Sequence, residues 1–257
     1  MSSRWARPDE LPALQALWTR VFGDGAEVTD SFFRRFPQEQ HTRVIEAEGK
    51  IAVMANWIPV TLDDQPGAYV YAVATAREYR GRGFARTLMG ELEQALSSRG
   101  LAFSALCPAE RSLYDFYAAL GYETAFFCDR FACAPEGEGL ALTPLAPAQY
   151  RTAREALLPA PGCLWNEAAL SYLADTGARF YGFPGGCAAI SVLPDGSLRV
   201  PELLCENAAE IGLRLCAALG APRAEVFAPG IMQPRGMLKW FTFGQKIPRA
   251  YLGFAFD

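Results

Sequence analysis

Apolar residues recur along the first half of the chain with periods that predict helices and strands in turn. Near the start, five of them share one helical face: Leu11, Leu14, Leu17, Trp18 and Phe22. Gly23 follows them, so a first helix ending there is predicted. Apolar runs at 42–47 and 51–62 flank a short polar turn, and a run rich in β-branched and aromatic residues spans 68–75. This order predicts three consecutive antiparallel strands.

A long helix and a fourth strand are predicted next. The apolar face of this helix is formed by Phe84, Leu88, Leu92, Ala95 and Leu96. Because the helix connects the strand at 68–75 to an apolar strand at 101–107, these two strands are expected to be parallel neighbours. Ser112 and Asp115 have the spacing of a capping box for a shorter helix, which Gly121 ends before a strand at 122–127.

The segment 134–139 is rich in turn formers, which indicates a linker between predicted domains at 1–135 and 136–257. Beyond it the pattern predicts helices at 149–158, 167–174 and 207–220, and strands at 178–181, 187–193, 198–205 and 224–228. The order repeats that of the first half, so we predict an α+β (mixed α/β) fold that is internally duplicated. The apolar, loop-like stretch 227–240 either lines an acceptor pocket or packs on the core.

Composition narrows the function classes. Hydrophobic residues make up 51% of the chain, which predicts a globular protein. The 24 basic residues are outnumbered by 28 acidic ones, so nucleic acid and anionic membranes are not expected partners. The start of the chain has no apolar leader segment, and a cytoplasmic location is therefore expected.

Residues for nucleophilic or metal chemistry are scarce. A single histidine, His41, excludes most Ser-His-Asp and Cys-His mechanisms. The seven cysteines are scattered and include no C-x-x-C pair, which argues against a disulfide framework or a zinc site. No metal is therefore expected. Cys107 lies in a predicted apolar strand, where a raised thiol pKa would leave it inert.

The strongest local signal is the sequence Arg-Gly-Arg-Gly at 80–83, between a predicted strand and a predicted helix. Free backbone N–H groups and the helix dipole bind anions in such a place, and glycine lets the backbone approach an oxyanion closely. Arg77 and Arg86 add positive charge, which favours a ligand with several phosphates. The alternative is a glycine turn with a solvated basic surface. The second half has only residues 206–207 at the corresponding place, so it is predicted to lack the loop.

Residues 5–130 resemble the GNAT superfamily of acetyl-CoA-dependent N-acyltransferases. The family's pyrophosphate motif, Q/R-x-x-G-x-G/A, is matched at both glycine positions by Gly81 and Gly83, whereas Glu78 departs from its first position. The resemblance implies that acetyl-CoA is the co-substrate. It also implies a set of pyrophosphate-binding residues: Arg80, Gly81, Arg82, Gly83, Phe84 and Ala85. The strand 72–75, with Val73 and Thr75, would hydrogen-bond the pantetheine arm and polarise the thioester carbonyl.

A second family signature is a tyrosine four residues before a glycine, and Tyr117 and Gly121 match it. A phenol near the departing thiolate can act as its general acid. The alternative is that Tyr117 is a core residue, because it shares an apolar face with Phe116; Tyr114 is then the next candidate. The family often has an asparagine seven residues before the tyrosine, but Glu110 stands there, so that role is not transferred.

The general base stays open. Candidates by region are Glu46, Glu48, Glu110 and Asp115, each of which is also typical of a solvated surface carboxylate. His41 at a strand entrance is a further candidate, although an incidental role is favoured.

The leading hypothesis is an N-acetyltransferase that moves an acetyl group from acetyl-CoA to a primary amine by direct attack in a ternary complex. The acceptor is a small-molecule or peptide amine, and a homodimer stays open. The tandem halves are similar to the enhanced-intracellular-survival type of acetyltransferase, in which the second domain is degenerate, but aminoglycoside specificity is not transferred. The rival is a non-catalytic acyl-CoA-binding module whose second half binds a protein. The acidic balance and the intact phosphate loop disfavour an aminoacyl-tRNA-dependent transferase.

Overall fold

The computed structural model describes residues 2–256, and contacts divide the chain into two compact units. Unit 1 comprises Met1–Glu123 and Met237–Ile247, and unit 2 comprises Thr124–Gly236 and Pro248–Asp257. The division into duplicated domains at 1–135 and 136–257 stays a prediction. The compact units have other bounds because residues 237–240 pair with a strand of unit 1.

Unit 1 is a mixed sheet with helices. Its strands are β1 (Arg4–Trp5), β2 (Thr42–Ala47), β3 (Lys50–Leu62), β4 (Gln65–Thr75) and β5 (Phe103–Leu106). Its helices are α1 (Leu11–Phe22), α2 (Ala26–Arg35), α3 (Gln38–His41), α4 (Phe84–Ser98) and α5 (Arg111–Ala118). Neighbouring strands from β1 to β4 are antiparallel, and β4 is parallel to β5, so the predicted meander and crossover are confirmed. Residues 237–240 add an antiparallel strand beside β5.

The core of unit 1 follows from the two helical faces that the sequence predicts. Helix α1 buries Leu14, Leu17 and Trp18, and Gly23 ends it with φ +82°, a conformation that glycine adopts readily. Helix α4 contacts β2, β3 and β4. It buries six residues: Phe84, Leu88, Met89, Leu92, Glu93 and Leu96. The two faces are therefore formed by local periodicity.

Two local features of unit 1 differ from expectation. Helix α2 was not predicted because its first turns are polar and only Phe32 and Phe33 at its end are large and apolar; their rings pack against Trp18. The capping box of Ser112 with Asp115 is wrong. Helix α5 begins two residues earlier, with Glu110 as its N-cap, and the Ser112 hydroxyl donates to the Glu110 carboxylate at 3.3 Å.

Unit 2 repeats much of this order. Its strands are β6 (Glu123–Cys133), β7 (Thr143–Leu145), β8 (Cys163–Trp165), β9 (Arg179–Phe183), β10 (Gly186–Val192), β11 (Leu198–Leu204) and β12 (Ala224–Trp240), the last of which belongs to unit 1 from Met237 onward. Its helices are α6 (Pro147–Leu157), α7 (Glu167–Asp175) and α8 (Ala208–Leu219). Strands β9, β10 and β11 are antiparallel, and α8 connects β11 to the parallel strand β12. Only residues 205–207 separate β11 from α8.

The predicted loop at 227–240 is wrong, because all of it belongs to the long strand β12. Its Pro and Gly residues made a loop the simpler interpretation. In the structure the Asp129 carboxylate accepts hydrogen bonds from the N–H groups of Ile231 and Met232, each at 3.1 Å. A tertiary contact therefore satisfies backbone groups in the irregular part of the strand.

A buried ion pair in unit 2 occupies the place that aromatic rings occupy in unit 1. The parallel pairing ends at Tyr69 in β4 and at Val200 in β11, the strands at corresponding places in the two units. Two residues beyond these ends lie Tyr71 and Glu202. Tyr71 packs against Trp18 of α1, with ring centroids 5.3 Å apart.

Glu202 instead pairs with Arg154 of α6, the Arg154 Nε lying 2.7 Å from Glu202 Oε2. The Tyr150 hydroxyl donates to the same carboxylate at 2.7 Å. Arg154 and Glu202 are 1% and 0% exposed. Because an unpaired charge in such a place is costly, each member of the pair depends on the other.

We predict that Arg154→Met lowers the free energy of unfolding by about 3–5 kcal/mol, because it leaves the Glu202 carboxylate buried without its cation. Urea unfolding measures the change. Arg151→Met, on the same helix but in an exposed pair with Glu155, is the control and should change stability by less than about 1 kcal/mol. Similar small losses for both variants would contradict the role of the pair.

Candidate functional site

The candidate site of unit 1 is built around an edge of β4 that lacks a strand partner. Strand β4 pairs with β5 only from Gly67 to Tyr69, yet it continues to Thr75. Within residues 2–256, the stretch from Val70 to Thr75 has β3 beside it on one side and no paired strand on the other. Val73 and Thr75, the predicted pantetheine contacts, lie on this stretch and are partly exposed. Backbone groups on the side without a strand could therefore contact a ligand.

A β-bulge interrupts β4 within this stretch. Met54 pairs with Ala74 and Asn56 pairs with Tyr71, so the single residue Ala55 faces the two residues Ala72 and Val73. Ala72 has φ +48°, in the left-handed region that non-glycine residues seldom adopt. A bulge turns the backbone out of the regular ladder, and bulges are frequent beside active sites.

The glycine loop follows directly from the end of β4. Gly81 and Gly83 have φ +72° and +80°, and Gly83 is the N-cap of α4. No atom lies within 4 Å of the position where either Cβ would stand, so the peptide surface of the loop is open. The first N–H groups of α4 have no partner within the helix, and the positive end of its dipole lies at the same place. The loop therefore has the geometry of an anion site.

The arginine side chains in and after this loop make contacts with other residues of unit 1. The Arg82 guanidinium lies over the rings of Tyr79 and Phe84, at 5.3 and 5.5 Å from their centroids. Arg80 Nε donates to the Thr75 carbonyl at 3.2 Å, and Arg86 Nη1 donates to the Ala119 carbonyl at 3.2 Å. All three arginines remain exposed to solvent.

Tyr117 lies on α5 and is buried, with 8% of its surface exposed. Its ring packs against those of Phe116 and Tyr122, with centroids 5.1 and 5.8 Å away. Burial raises the pKa of Tyr117 to about 12, so its phenol carries its proton at neutral pH. This environment is compatible with both interpretations of Tyr117, the general acid and the core residue.

Lys239, which sequence reasoning missed, fixes the end of the helix that carries Tyr117. Its Nζ donates to the Leu120 carbonyl at 2.6 Å and to Glu93 Oε2 at 2.5 Å. Lysine and arginine near a helix C-terminus stabilise the last carbonyls and the dipole. The only signal in the sequence is a lysine inside an apolar stretch, which does not reveal its partners.

The candidate bases lie in two groups. Glu46 and Glu48 are at the turn between β2 and β3, where Arg4 pairs with Glu46 at 3.0 Å and the Tyr79 hydroxyl donates to Glu48 at 3.4 Å. Glu110 and Asp115 are exposed on α5.

His41, the remaining candidate base, is held by contacts with Trp57 and Phe36. Its Nδ1 lies 3.0 Å from the Trp57 carbonyl, and its ring packs on Trp57 and Phe36. Burial lowers the pKa of His41, so the imidazole is neutral at pH 7. Cys107, expected inside a strand, lies just after the last residue of β5.

Unit 1 contains a cavity of about 470 Å³. Helix α1, the β2–β3 turn and the residues after β4 form its walls, which include Arg20, Glu46, Lys50, Ala76 and Glu78. Glu78, the residue that departs from the family motif, thus faces a cavity with charges of both signs. In the part of the chain that the structure describes, no group of three or more His, Cys, Asp or Glu could hold a metal ion. None of the described helices is long and apolar enough to cross a membrane.

Comparison with known proteins agrees with this geometry. Residues 2–125 match the family model of the acetyltransferase (GNAT) domain. A GCN5-related N-acetyltransferase from Kribbella flavida has a similar structure, with a TM-score of 0.70 and 22% identity over 93% of this chain and 71% of that one. Eis1 from Mycobacterium abscessus is 13% identical, with a TM-score of 0.67 over 93% of this chain and 74% of that one.

A putative acetyltransferase from Pyrococcus horikoshii is 14% identical, with a TM-score of 0.65 over 98% of this chain and 93% of that one. No curated protein sequence matches the chain significantly. At these identities the similar structures establish the fold, and the predicted mixed GNAT-like sheet flanked by helices is confirmed.

We predict that Gly83→Val abolishes measurable binding of acetyl-CoA. The substitution strains a residue at φ +80° and places a β-branched side chain where the backbone must approach phosphate. Isothermal titration calorimetry measures the affinity. Gly90→Val, at a helical position of α4 with no atom within 4 Å of the added Cβ, is the matched control. Unchanged affinity in Gly83→Val would rule out the loop as the phosphate site.

Proposed function

We propose that this chain, in which residues 2–125 match the GNAT acetyltransferase domain, transfers an acetyl group from acetyl-CoA to a primary amine within a ternary complex. One observation carries the proposal: the unpartnered edge of β4 leads directly into the glycine loop at the start of α4. An extended pantetheine arm needs hydrogen bonds along its length, and a pyrophosphate needs backbone donors and positive charge at its end. In unit 1 the strand edge that could bind the arm is followed directly by the loop that could bind the pyrophosphate.

The residues present fit acetyl-CoA. The loop has open glycine surfaces at Gly81 and Gly83, and Arg77, Arg80, Arg82 and Arg86 are all exposed near it. The chain as a whole is acidic, with a net charge of −4, so this basic surface is a local feature. Bound acetyl-CoA would supply an acyl group activated as a thioester.

In the proposed reaction the backbone of β4 holds the thioester carbonyl, and Tyr117 donates its phenolic proton to the departing sulfur. Tyr117 then recovers a proton from water. The acceptor amine must be neutral when it attacks, so its proton passes to water or to a carboxylate. No covalent bond between the chain and the acetyl group is required. The acceptor belongs to the amines, either small molecules or peptides, and a cytoplasmic location stays a prediction.

A second function, a non-catalytic acyl-CoA-binding module, is favoured by the two departures from the family motifs. Glu78 faces a cavity, and Glu110 is the N-cap of α5. Thiol release separates the two functions: purified protein is mixed with acetyl-CoA and a panel of polyamines, aminoglycosides and amino acids. Acceptor-dependent release supports the enzyme, and binding without release supports the module.

We expect one acetyl-CoA site per chain in calorimetry, because only unit 1 has the glycine loop. In unit 2 the three residues 205–207 between β11 and α8 leave no length for such a loop. Two equivalent sites per chain would contradict the degenerate second copy.

Tyr117→Phe is expected to lower kcat by at least tens of fold, because general acid catalysis contributes about a hundredfold to ten-thousandfold. The dissociation constant of CoA should stay within about threefold, since the proton is needed only as the thiolate leaves. The ring contacts with Phe116 and Tyr122 are preserved in this variant.

Tyr114→Phe, on the same helix, is the matched control for this substitution and should change neither quantity. Full activity in Tyr117→Phe would mean that solvent protonates the thiolate and that Tyr117 is a core residue. A loss confined to Tyr114→Phe would transfer the role to Tyr114.

A further inference from the structure

Two buried polar side chains lie beneath the bulge of β4 and take no part in the steps above. Asn56 of β3 and Thr42 of β2 are both 0% exposed. The Thr42 hydroxyl donates to Asn56 Oδ1 at 2.7 Å, and Asn56 Nδ2 donates to the Ala72 carbonyl at 3.2 Å. These two bonds connect three neighbouring strands through side chains.

An asparagine at this position is unexpected from packing alone. Its neighbours in β3 are buried and apolar: Val53, Met54, Ala55, Trp57 and Ile58. Asparagine is depleted in strands, and a buried amide is tolerated only when its groups are hydrogen-bonded. The hydrogen bonds of Asn56 therefore indicate that an amide donor is needed at this position, and the group that needs it is the Ala72 carbonyl.

Ala72 is the residue of β4 that most needs an external contact. It has φ +48°, which an alanine adopts only at a cost, and the bulge removes it from the regular ladder. Its carbonyl then needs a donor, which Asn56 Nδ2 supplies. The carbonyl can only accept, so the Asn56 amide must present its nitrogen to Ala72 and its oxygen to Thr42.

Fixing the Ala72 carbonyl also fixes the N–H of Val73. The two groups belong to one planar peptide unit, and the peptide bond between them is trans. In a trans peptide the N–H points opposite to the carbonyl. Because the carbonyl points to Asn56 of β3, the Val73 N–H points away from Asn56.

We propose that Asn56, oriented by Thr42, is a positioning residue for acetyl transfer: it locks the bulge so that the Val73 N–H is aimed at the thioester carbonyl. This inference rests on the proposed function and names the side chains on which the backbone donor depends. A donor that is fixed in advance stabilises the charge that develops on oxygen without reorganising.

The test compares Asn56→Ala, which removes both bonds, with Thr42→Val, which removes only the hydroxyl that orients Asn56. Binding is measured by calorimetry with acetyl-CoA, folding by thermal unfolding, and turnover by thiol release. Difference infrared spectroscopy with acetyl-CoA carrying carbon-13 at the acetyl carbonyl reports how strongly the bound thioester is polarised. That last readout requires binding but no turnover.

We expect kcat to fall by about tenfold to a hundredfold in Asn56→Ala, because the amide that holds the Ala72 carbonyl is removed. In Thr42→Val the amide remains but loses the hydroxyl that orients it, so kcat should fall by a smaller factor. The acetyl-CoA dissociation constant should change by less than about threefold, since the glycine loop is untouched. The carbonyl band should move toward its position in free acetyl-CoA in both variants. Thr42→Ser should restore kcat and the band, and Thr61→Val, elsewhere in β3, should match the unmodified protein.

The outcomes separate the two proposals. If Asn56→Ala does not fold, the comparison of Thr42→Val with Thr42→Ser tests the positioning role. An unchanged carbonyl band and unchanged kcat in a folded Thr42→Val, with or without the same result for Asn56→Ala, would overturn the positioning role. If the unmodified protein binds acetyl-CoA but releases no thiol with any amine, the proposal of enzymatic transfer is wrong. The infrared band of the bound thioester carbonyl then still tests whether the Val73 N–H is directed at that carbonyl. If acetyl-CoA does not bind at all, both proposals are wrong.

Discussion

Backbone pairing between β4 and β5 ends at Tyr69, six residues before β4 itself ends at Thr75. Buried strand edges carry N–H and C=O groups that must be satisfied by something. In unit 1 this constraint produces a stretch of backbone that a linear ligand can complete, ending at the open glycine loop. The crossover helix α4, the bulge at Ala72 and the loop at 81–83 are all arranged around that one interruption of the sheet.

Unit 2 has a different arrangement where its parallel pairing ends. Its parallel pairing ends at Val200, and Glu202 is held there by Arg154 and Tyr150. The C-terminal segment passes directly over this pair, since a Cβ on Gly253 would lie 2.5 Å from both Arg154 Nη2 and Glu202 Oε1. Side chains of unit 2 thus hold the position of β11 that corresponds to Tyr71 of β4. The short connection 205–207 and the buried ion pair are compatible with the predicted degenerate second copy, which stays a prediction.

Two side chains of unit 1 bind backbone carbonyls close to the candidate site. Lys239 binds the Leu120 carbonyl at the end of the helix that carries Tyr117, and Asn56 binds the Ala72 carbonyl in the bulge. Both side chains satisfy carbonyls that regular secondary structure leaves unpaired. Such contacts restrict the backbone around a site more strongly than packing does, because a hydrogen bond has a preferred direction.

The sequence by itself determined the features that are encoded within one element or one turn. The apolar faces of α1 and α4, the meander of β2 to β4, the parallel position of β5 and the glycine loop all follow from residues close together in the chain. The loop was found because strand, glycines, arginines and helix lie within about twenty residues.

Tertiary structure alone decided the rest. The sequence pattern did not reveal the bulge at Ala72, because the contacts of this residue are with Asn56 of another strand, which Thr42 of a third strand binds in turn. It mistook much of β12 for a loop, since Asp129, about a hundred residues earlier, satisfies its irregular backbone. Lys239 was missed for the same reason. Periodicity records the preferences of a segment, whereas hydrogen bonds between distant segments are fixed only when the chain has folded.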